Sequence, residues 1–582
     1  MMAFLNSDKL APALVILGYF LVIGLIGAYS HRFLKKTAED YFLGGRATKT
    51  LVLLFTMAAT NFSAVTIYGF SGTAYRQGYS FFPIMAFGTG FMALTFYFIG
   101  RRVWELGKEK GYMTPPQLMG DEMKSPWLRR LVFLVMLVFS LPYIAIQPIA
   151  GGYTLEALLG IPYFLGASLV TGMILLYTFW GGYRSVAWTD VAQGIIMLTV
   201  MLLTVWGIAE AEGGVVAANT AVFEKMPELF SRPGAGEVYT PALWFSYMIL
   251  WFFCDPLFPQ LFQRFFVAKE KKALNRTMIW YPLVTGVFFL LPMVIGVLGH
   301  LSIPGLEGKE ADRIFPMLAE LHFSPVTAAF IVTAGLAALM STMDSQMLTL
   351  SSMFTKDVYE PLTGRPVKGN GVGRAFSVLL AGLGLLIAYF NPSSILQITT
   401  ETFTGLAVLF PALVAILYWP RTHAGAACTS ILMGELLVIL YHFKLLPTGG
   451  FLSVIPILGC TTVILVLGSY LGKAKPRTLP KVPKSTWIWG MLFYRDFCFI
   501  LRFLELESDS YFMGGLASMG VGYFSLKWDH RIGFLGLEFK EANQRKLTPF
   551  LRIESIFIGY SLTFGKFKNS HMDRSMGNTN CT

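Results

Sequence analysis

Charged side chains are few in this chain: Asp, Glu, Lys and Arg make up 14% of its 582 residues, where an average soluble domain has about 25%. That balance excludes an ordinary soluble domain. Cysteine is scarcer still. The five present, Cys254, Cys428, Cys460, Cys498 and Cys581, lie far apart with no CxxC spacing, which points away from both a disulfide framework and a zinc site. The acidic residues form no metal-ligand cluster and no DxxxD pair, so an integral-membrane enzyme is not expected. No nucleotide-binding or histidine-kinase-like motif is visible in residues 473–582.

What is abundant is apolar: 54% of the residues are hydrophobic. Runs near the roughly 20 residues needed to cross a hydrocarbon core recur along most of the chain. About thirteen are expected, near 10–29, 51–72, 80–99, 131–159, 163–180, 188–208, 242–262, 279–300, 325–355, 373–390, 394–419, 425–443 and 450–472. The first is preceded by a single cation, Lys9, and is long enough to span, so it reads as a retained helix rather than a cleaved signal peptide.

The net charge of +12 suggests nucleic acid only until its distribution is considered. Cations cluster in alternate loops, around Arg32 to Lys49, Arg101 to Arg130, Arg184, Arg264 to Arg276, Lys356 to Arg374, Arg421 and Lys473 to Lys481, while the long loop 209–241 is acidic, with Glu210, Glu212, Glu224, Glu228 and Glu237. The positive-inside rule places the N-terminus outside and the end of the last span in the cytoplasm. An odd number of spans has the same parity. The expected partners are a lipid bilayer and a small solute, not nucleic acid.

Two spans are interrupted. The second contains TMAATNFSAVTIYGFSG, with Thr60, Asn61, Ser63 and Thr66 ahead of Gly69 and Gly72; the seventh contains ILWFFCDPLFPQLFQR, with Pro256 and Pro259 inside the apolar run and Asp255 beside them. Broken membrane helices expose carbonyls to cations and half-helix N-termini to anions, and in inverted-repeat transporters they come in pairs. If spans two to six form one repeat, about 51–208, and seven to eleven the other, about 242–419, these two segments are equivalent.

The ninth run carries ALMSTMDSQMLTLSS. On a helix, Ser341, Asp344, Ser345, Thr349 and Ser352 share one stripe, opposite Met340, Met343, Met347, Leu350 and Phe354. A carboxylate at that depth costs at least about 2.5 kcal/mol on insertion scales, so a partner is expected. No Lys or Arg is near Asp344 in sequence, and a small hard cation suits a set of hydroxyl and carboxylate oxygens. The alternative is that the hydroxyls bond back along the helix and Asp344 pairs with a polar group on another span. Asp190, near the start of the sixth span, is either a second cation ligand or a partner for the helix dipole. Glu401, on one face with Gln397 and Thr404, faces either a solute or a structural hydrogen bond.

These residues resemble the sodium/solute symporter family, the group of proline, pantothenate, sialic acid and sodium/glucose transporters. The resemblance covers roughly residues 10–475 and rests on YFLGGR, ATNFSAVTIYGFSG, GGYTLEALLGI, YTFWGGYRSVAWTDVAQG, QRFFVAKEKKAL, ALMSTMDSQMLTLSSMFTKDVY and FPALVAILYWPRTHAGA, in the family's order. It implies an all-α integral membrane protein with a LeuT-like fold, about thirteen transmembrane helices and a five-plus-five inverted repeat. It further implies a sodium site made by the carbonyls of Ala59, Phe62 and Ala338 and the hydroxyls of Ser341 and Thr342. A second sodium site, present in some relatives, matches Asp190, Asp344 and Ser345, with Asp344 replacing a serine. Solute contacts match Asn61, Ser63 and Thr66 in the second span, Tyr143 and Gln147 in the fourth, Asp255 in the seventh, and Gln397, Thr400 and Glu401 in the eleventh.

The function implied is sodium-coupled import of a small organic solute across the plasma membrane. The sequence looks closest to the pantothenate and monocarboxylate branch, with proline and sugar as alternatives, although no arginine at membrane depth is expected to meet a carboxylate. One sodium ion crossing about 100 mV down a tenfold gradient releases about 3.7 kcal/mol. That drives a neutral solute to a few hundredfold, but a monoanion to only about tenfold, so an anionic solute implies two sodium ions. The rivals are a proton-coupled carrier using Asp190 or Asp344 and a transporter-like membrane sensor. Residues 476–582 do not resemble the family and read as a cytoplasmic tail, either a small β module or an irregular segment.

Overall fold

The computed structural model describes residues 7–34, 37–367, 370–390, 393–472 and 477; the readings of the tail otherwise lie outside the described residues. Among these residues the fold is helical, with one isolated parallel bridge between Thr48 and Ala268. Ten helices are long and apolar enough to cross a membrane, and the bent pair Pro241–Leu257 and Pro259–Val267, 52° apart, makes an eleventh.

Thirteen runs and eleven helices are reconciled by where the backbone leaves helical geometry. The stretch Val65–Lys110 is 46 residues long, about twice what a bilayer needs. Gly78, at φ +79 and ψ −157, divides it into the end of the second span and the whole third. Tyr163–Phe179 and Thr50–Asn61 are the shorter apolar helices. The former is the fifth span, separated from the sixth at Gly182 (φ 55, ψ −148), a backbone shape that residues with a Cβ avoid. The latter is the first half of the broken second span.

The ninth span, Pro325–Met353, is the axis of the bundle, and every residue from Ile331 to Met353 is buried. It packs on the helices Ser7–Ser30, Thr50–Asn61, Pro126–Leu159, Tyr163–Ala211 and Gly371–Phe390. Both of its faces therefore meet protein, and its apolar stripe is helix–helix contact. The periphery is the reverse. On the first span Leu10, Leu14, Leu17, Leu21 and Leu25 are each more than half exposed and fall on one face, as lipid-facing residues must.

The loop after the eighth span is stapled to two others through Asp312, which is buried. Its Oδ2 accepts the amide of Ile395 at 2.9 Å, at the start of the eleventh span, and its Oδ1 lies 3.2 Å from Arg76 Nη1, at the end of the second. Burial pushes this carboxyl up to about 6, against the opposing pull of Arg76 and the Ile395 amide. Between about pH 4 and 6 the folded protein thus holds more protons here than the unfolded chain, and this residue's contribution to stability falls as the pH rises. Asp312→Asn is expected to flatten the change in melting temperature over that window; an unchanged slope would refute the assignment.

Candidate functional site

The second span breaks because its side chains take over the amides that a continuous helix would use. Ser63 N–H donates to Thr66 Oγ1 (3.4 Å), Ala64 N–H to Gln147 Oε1 (3.2 Å), Val65 N–H to Ser63 Oγ (3.1 Å) and Thr66 N–H to the Ser63 carbonyl (3.0 Å). Those four amides would otherwise meet the carbonyls of Ala59, Thr60, Asn61 and Phe62. Hydroxyls and a glutamine cap the second half-helix, and the carbonyls of Ala59 and Thr60 are released from the first, while that of Asn61 accepts the Thr66 hydroxyl at 3.3 Å.

The ninth span meets two of those carbonyls. Ser341 Oγ donates to the Ala59 carbonyl at 2.8 Å and lies 3.1 Å from the carbonyl of Ala338, while Thr342 Oγ1 donates to the Thr60 carbonyl at 2.9 Å. Ala59, Ala338, Ser341 and Thr342 are thereby brought together in a buried seam. Phe62 lies one turn beyond Ala59, at the break itself (ψ 85), with its ring stacked on Phe288. Such a set of carbonyl and hydroxyl oxygens suits a hard monovalent cation.

One turn along, the acidic cluster already contains a cation. Arg264 has no exposed surface. Its Nη2 lies 2.6 Å from Ser345 Oγ, 3.0 Å from Thr60 Oγ1 and 3.3 Å from Asp190 Oδ2. Asp190 Oδ2 also accepts from Thr56 Oγ1, so Asp190 is more than a dipole partner. Asp344 accepts at Oδ2 from Tyr177 (2.8 Å). The placement of Arg264 in a basic loop is corrected: it stands in the basic run that continues with Lys269, Lys271 and Lys272, yet it belongs to the buried helix Pro259–Val267. The signal was QLFQRFF, in which Arg264 is followed by Phe265, Phe266 and Val267 before the first lysine. Thr56 and Tyr177 were also missed, although Thr56 is one helical turn from Thr60.

Two carboxylates face one guanidinium, and among the described residues Asp190 Oδ1 and Asp344 Oδ1 have no hydrogen-bond partner.

Nearer the middle of the broken helices is a small hollow lined by Asn61, Ser63, Thr66, Thr89 and Tyr143 and by the rings of Phe70, Trp251, Phe289 and Phe403. Of the residues expected to contact solute, Asn61, Ser63, Thr66 and Tyr143 line this hollow. Gln147 instead caps the half-helix and donates from Nε2 to the Tyr143 carbonyl at 3.1 Å. Asp255 is buried beside the hollow, within electrostatic reach of Asn61 and Thr89. The eleventh-span residues are placed differently from expectation. Gln397 is exposed, the Thr400 hydroxyl turns back to the Leu396 carbonyl (2.8 Å), and Glu401 is half-exposed, 3.4 Å from His442. The reason is helical phase: the residue that this span turns toward the hollow is Phe403.

Residues 41–470 match the family model described as the sodium:solute symporter family. The chain is 28% identical to the sodium/pantothenate symporter of Escherichia coli (strain K12) over 480 residues, covering 81% of this chain and 98% of the relative. It is 27% identical to the high-affinity proline transporter of Bacillus subtilis (strain 168) over 431 residues, covering 72% and 89%. A Na+-coupled sialic acid symporter in a substrate-bound outward-open state has a similar fold, with a TM-score of 0.69 at 19% identity over 81% of this chain and 99% of that one.

Proposed function

The chain belongs to the sodium:solute symporter family, and we propose from that premise how its own residues couple ion to solute. It is a multi-pass membrane protein and a sodium-coupled symporter. We infer that sodium is held by the carbonyls of Ala59, Phe62 and Ala338 with the hydroxyls of Ser341 and Thr342. One observation carries this reading: the break in the second span frees carbonyls directly opposite two hydroxyls of the ninth. An ion there bridges the two spans and favours the conformer in which the solute hollow is formed. By linkage, solute must then tighten sodium by the same factor as sodium tightens solute.

The alternation of basic loops supports an external N-terminus and a cytoplasmic C-terminal end in the plasma membrane, with import as the direction. The broken second and seventh spans each open one of the stretches 51–208 and 242–419 that an inverted repeat pairs. Both named relatives carry small organic solutes, one an anion and one a zwitterion, and the family reading supports that class.

A second cation place is supported by one oxygen each of Asp190 and Asp344 that has no hydrogen-bond partner among the described residues. Arg264 occupies the Ser345 side of that cluster, so the second ion is assigned to the opposite side, between the two free carboxylate oxygens.

The test is the melting temperature of the detergent-purified protein in sodium chloride and in potassium chloride at equal ionic strength. Specific binding raises apparent stability by mass action, so sodium alone is expected to stabilise, and solute to add to it only in sodium. Equal stabilisation in potassium would transfer the reading to a proton-coupled carrier or a sensor. Ser341→Ala, which deletes one ligand oxygen, is expected to raise the sodium needed for half-maximal uptake by roughly tenfold, in line with the worth of a hydrogen bond to a charged group. An unchanged sodium dependence counts against the site.

A further inference from the structure

Three helices end at one point, on the face that the basic-loop pattern places outside. The sixth span closes at Ala211 with Glu212 as its cap, the eighth at Ser302, and the short helix of the loop that follows, Ile314–His322, at His322. Beyond the sixth span the amides of Gly213 and Gly214 donate back to the carbonyls of Glu210 (3.1 Å) and Ala209 (2.7 Å), and both glycines have positive φ. That turn sets where Glu212 emerges. Further back on the same span, Gly207 makes room for the Phe323 ring, which would lie 2.6 Å from a Cβ there. The fit seats His322, the next residue, over the end of the span.

Three polar side chains meet as a result. Ser302 Oγ donates to Glu212 Oε1 at 2.8 Å and lies 2.9 Å from His322 Nε2, and that nitrogen is 4.0 Å from the same carboxylate oxygen. These separations bracket the about 3.3 Å between neighbouring ligands of a tetrahedral ion with bonds of about 2.0 to 2.1 Å. Electrostatics favour a cation independently of that geometry. Each helix C-terminus carries about half a negative charge, and here three of them gather around a carboxylate. An imidazole nitrogen beside the carboxylate selects a transition metal over magnesium or calcium, which prefer oxygen alone.

We propose that Glu212, Ser302 and His322 form a site for a divalent metal of the zinc class, which clamps the loop helix to the ends of the sixth and eighth spans. His322 ligates through Nε2 as the neutral imidazole, its proton on Nδ1, and water completes the shell. The side chains of His322 and Glu212 are 12% and 27% exposed, so solvent reaches the metal from the carboxylate side. Among the described residues no three His, Cys, Asp or Glu side chains come together, which falls short of the closed four-ligand set of a structural zinc. Micromolar, reversible binding is therefore expected. The two spans belong to different repeats, and alternating access moves one against the other, so a bound metal holds back the cycle.

The experiment melts the tag-free full-length protein in detergent with zinc chloride, with magnesium or calcium chloride, and with a chelator, and maps hydrogen exchange with and without zinc. Zinc is expected to raise the melting temperature by mass action, saturating at micromolar concentration, with magnesium and calcium inert. Exchange is expected to slow over residues 303–324 and the adjoining span ends. His322→Gln and Glu212→Gln should each raise the half-saturating zinc concentration by about tenfold or more, at least what the loss of an outer-shell partner costs a metal site. The control is His442→Gln, which removes another imidazole–carboxylate pair, 3.4 Å from Glu401, and is expected to leave the zinc response unchanged.

The proposal is overturned if zinc does not stabilise, if magnesium or calcium stabilises equally, or if His322→Gln and Glu212→Gln bind zinc as tightly as the parent. A response abolished by His442→Gln moves the metal to the other pair and overturns it too, as does protection that spares residues 303–324. If one ligand variant does not fold, the other decides; if neither folds, the metal series and the exchange map of the parent decide. The shift produced by sodium in the absence of zinc reports separately on the symport reading, which stands or falls without regard to this site.

Discussion

Arg264→Gln is expected to lower stability by about 3 to 5 kcal/mol, the cost of leaving one partner of a buried ion pair behind. The arginine has no exposed surface and ties the second, sixth and ninth spans together through Thr60, Asp190 and Ser345. Removing it leaves Asp190 with hydroxyl donors but no neutralising charge. Asp190→Asn made together with Arg264→Gln removes both charges, so the double variant should recover much of the loss even though it carries more changes. Thermal melting of the four proteins forms the cycle. If the double variant is as unstable as the sum of the singles, the two residues are not coupled and the pairing seen here is incidental to folding.

The second large effect concerns transport rather than stability. Asp344→Asn removes one of the two carboxylates that face a single guanidinium, and with it the negative charge that a second ion would balance. The sodium-to-solute flux ratio is expected to fall from two to one. Each sodium ion crossing about 100 mV down a tenfold gradient contributes about 3.7 kcal/mol, so the accumulation ceiling should drop by about 500-fold. A ratio of one in the parent protein would dispose of the second ion. If acidifying the medium, and not sodium, sets the parent's uptake and that dependence vanishes in Asp344→Asn, a proton takes the place assigned to the ion.

Features governed by local rules were legible in the residues alone. The hydroxyls around Thr60 to Thr66 and the prolines at Pro256 and Pro259 mark breaks because they act on the nearest amides, and the helical spacing of Ser341 to Ser352 identifies an inward stripe. What escaped depends on where a helix ends relative to the bilayer or on its absolute rotation. Arg264 is followed by lysines that do lie in a basic loop, and nothing in one dimension says that the buried segment ends only at Ala268. Glu401 and Phe403 are two residues apart on the eleventh span, and the sequence cannot say which of the two faces inward. Polarity suggested Glu401, but packing chose Phe403.

Thr60 is gripped at both ends. Its carbonyl belongs to the seam with Thr342, and its hydroxyl to the cluster of Ser345 and Arg264, 3.1 Å from the serine oxygen. A ligand that draws the carbonyl one way cannot leave the hydroxyl undisturbed, since a single peptide and a stiff β-branched side chain connect them. The two proposed cation places are therefore expected to fill in an order rather than independently, the first occupant fixing the geometry that the second encounters.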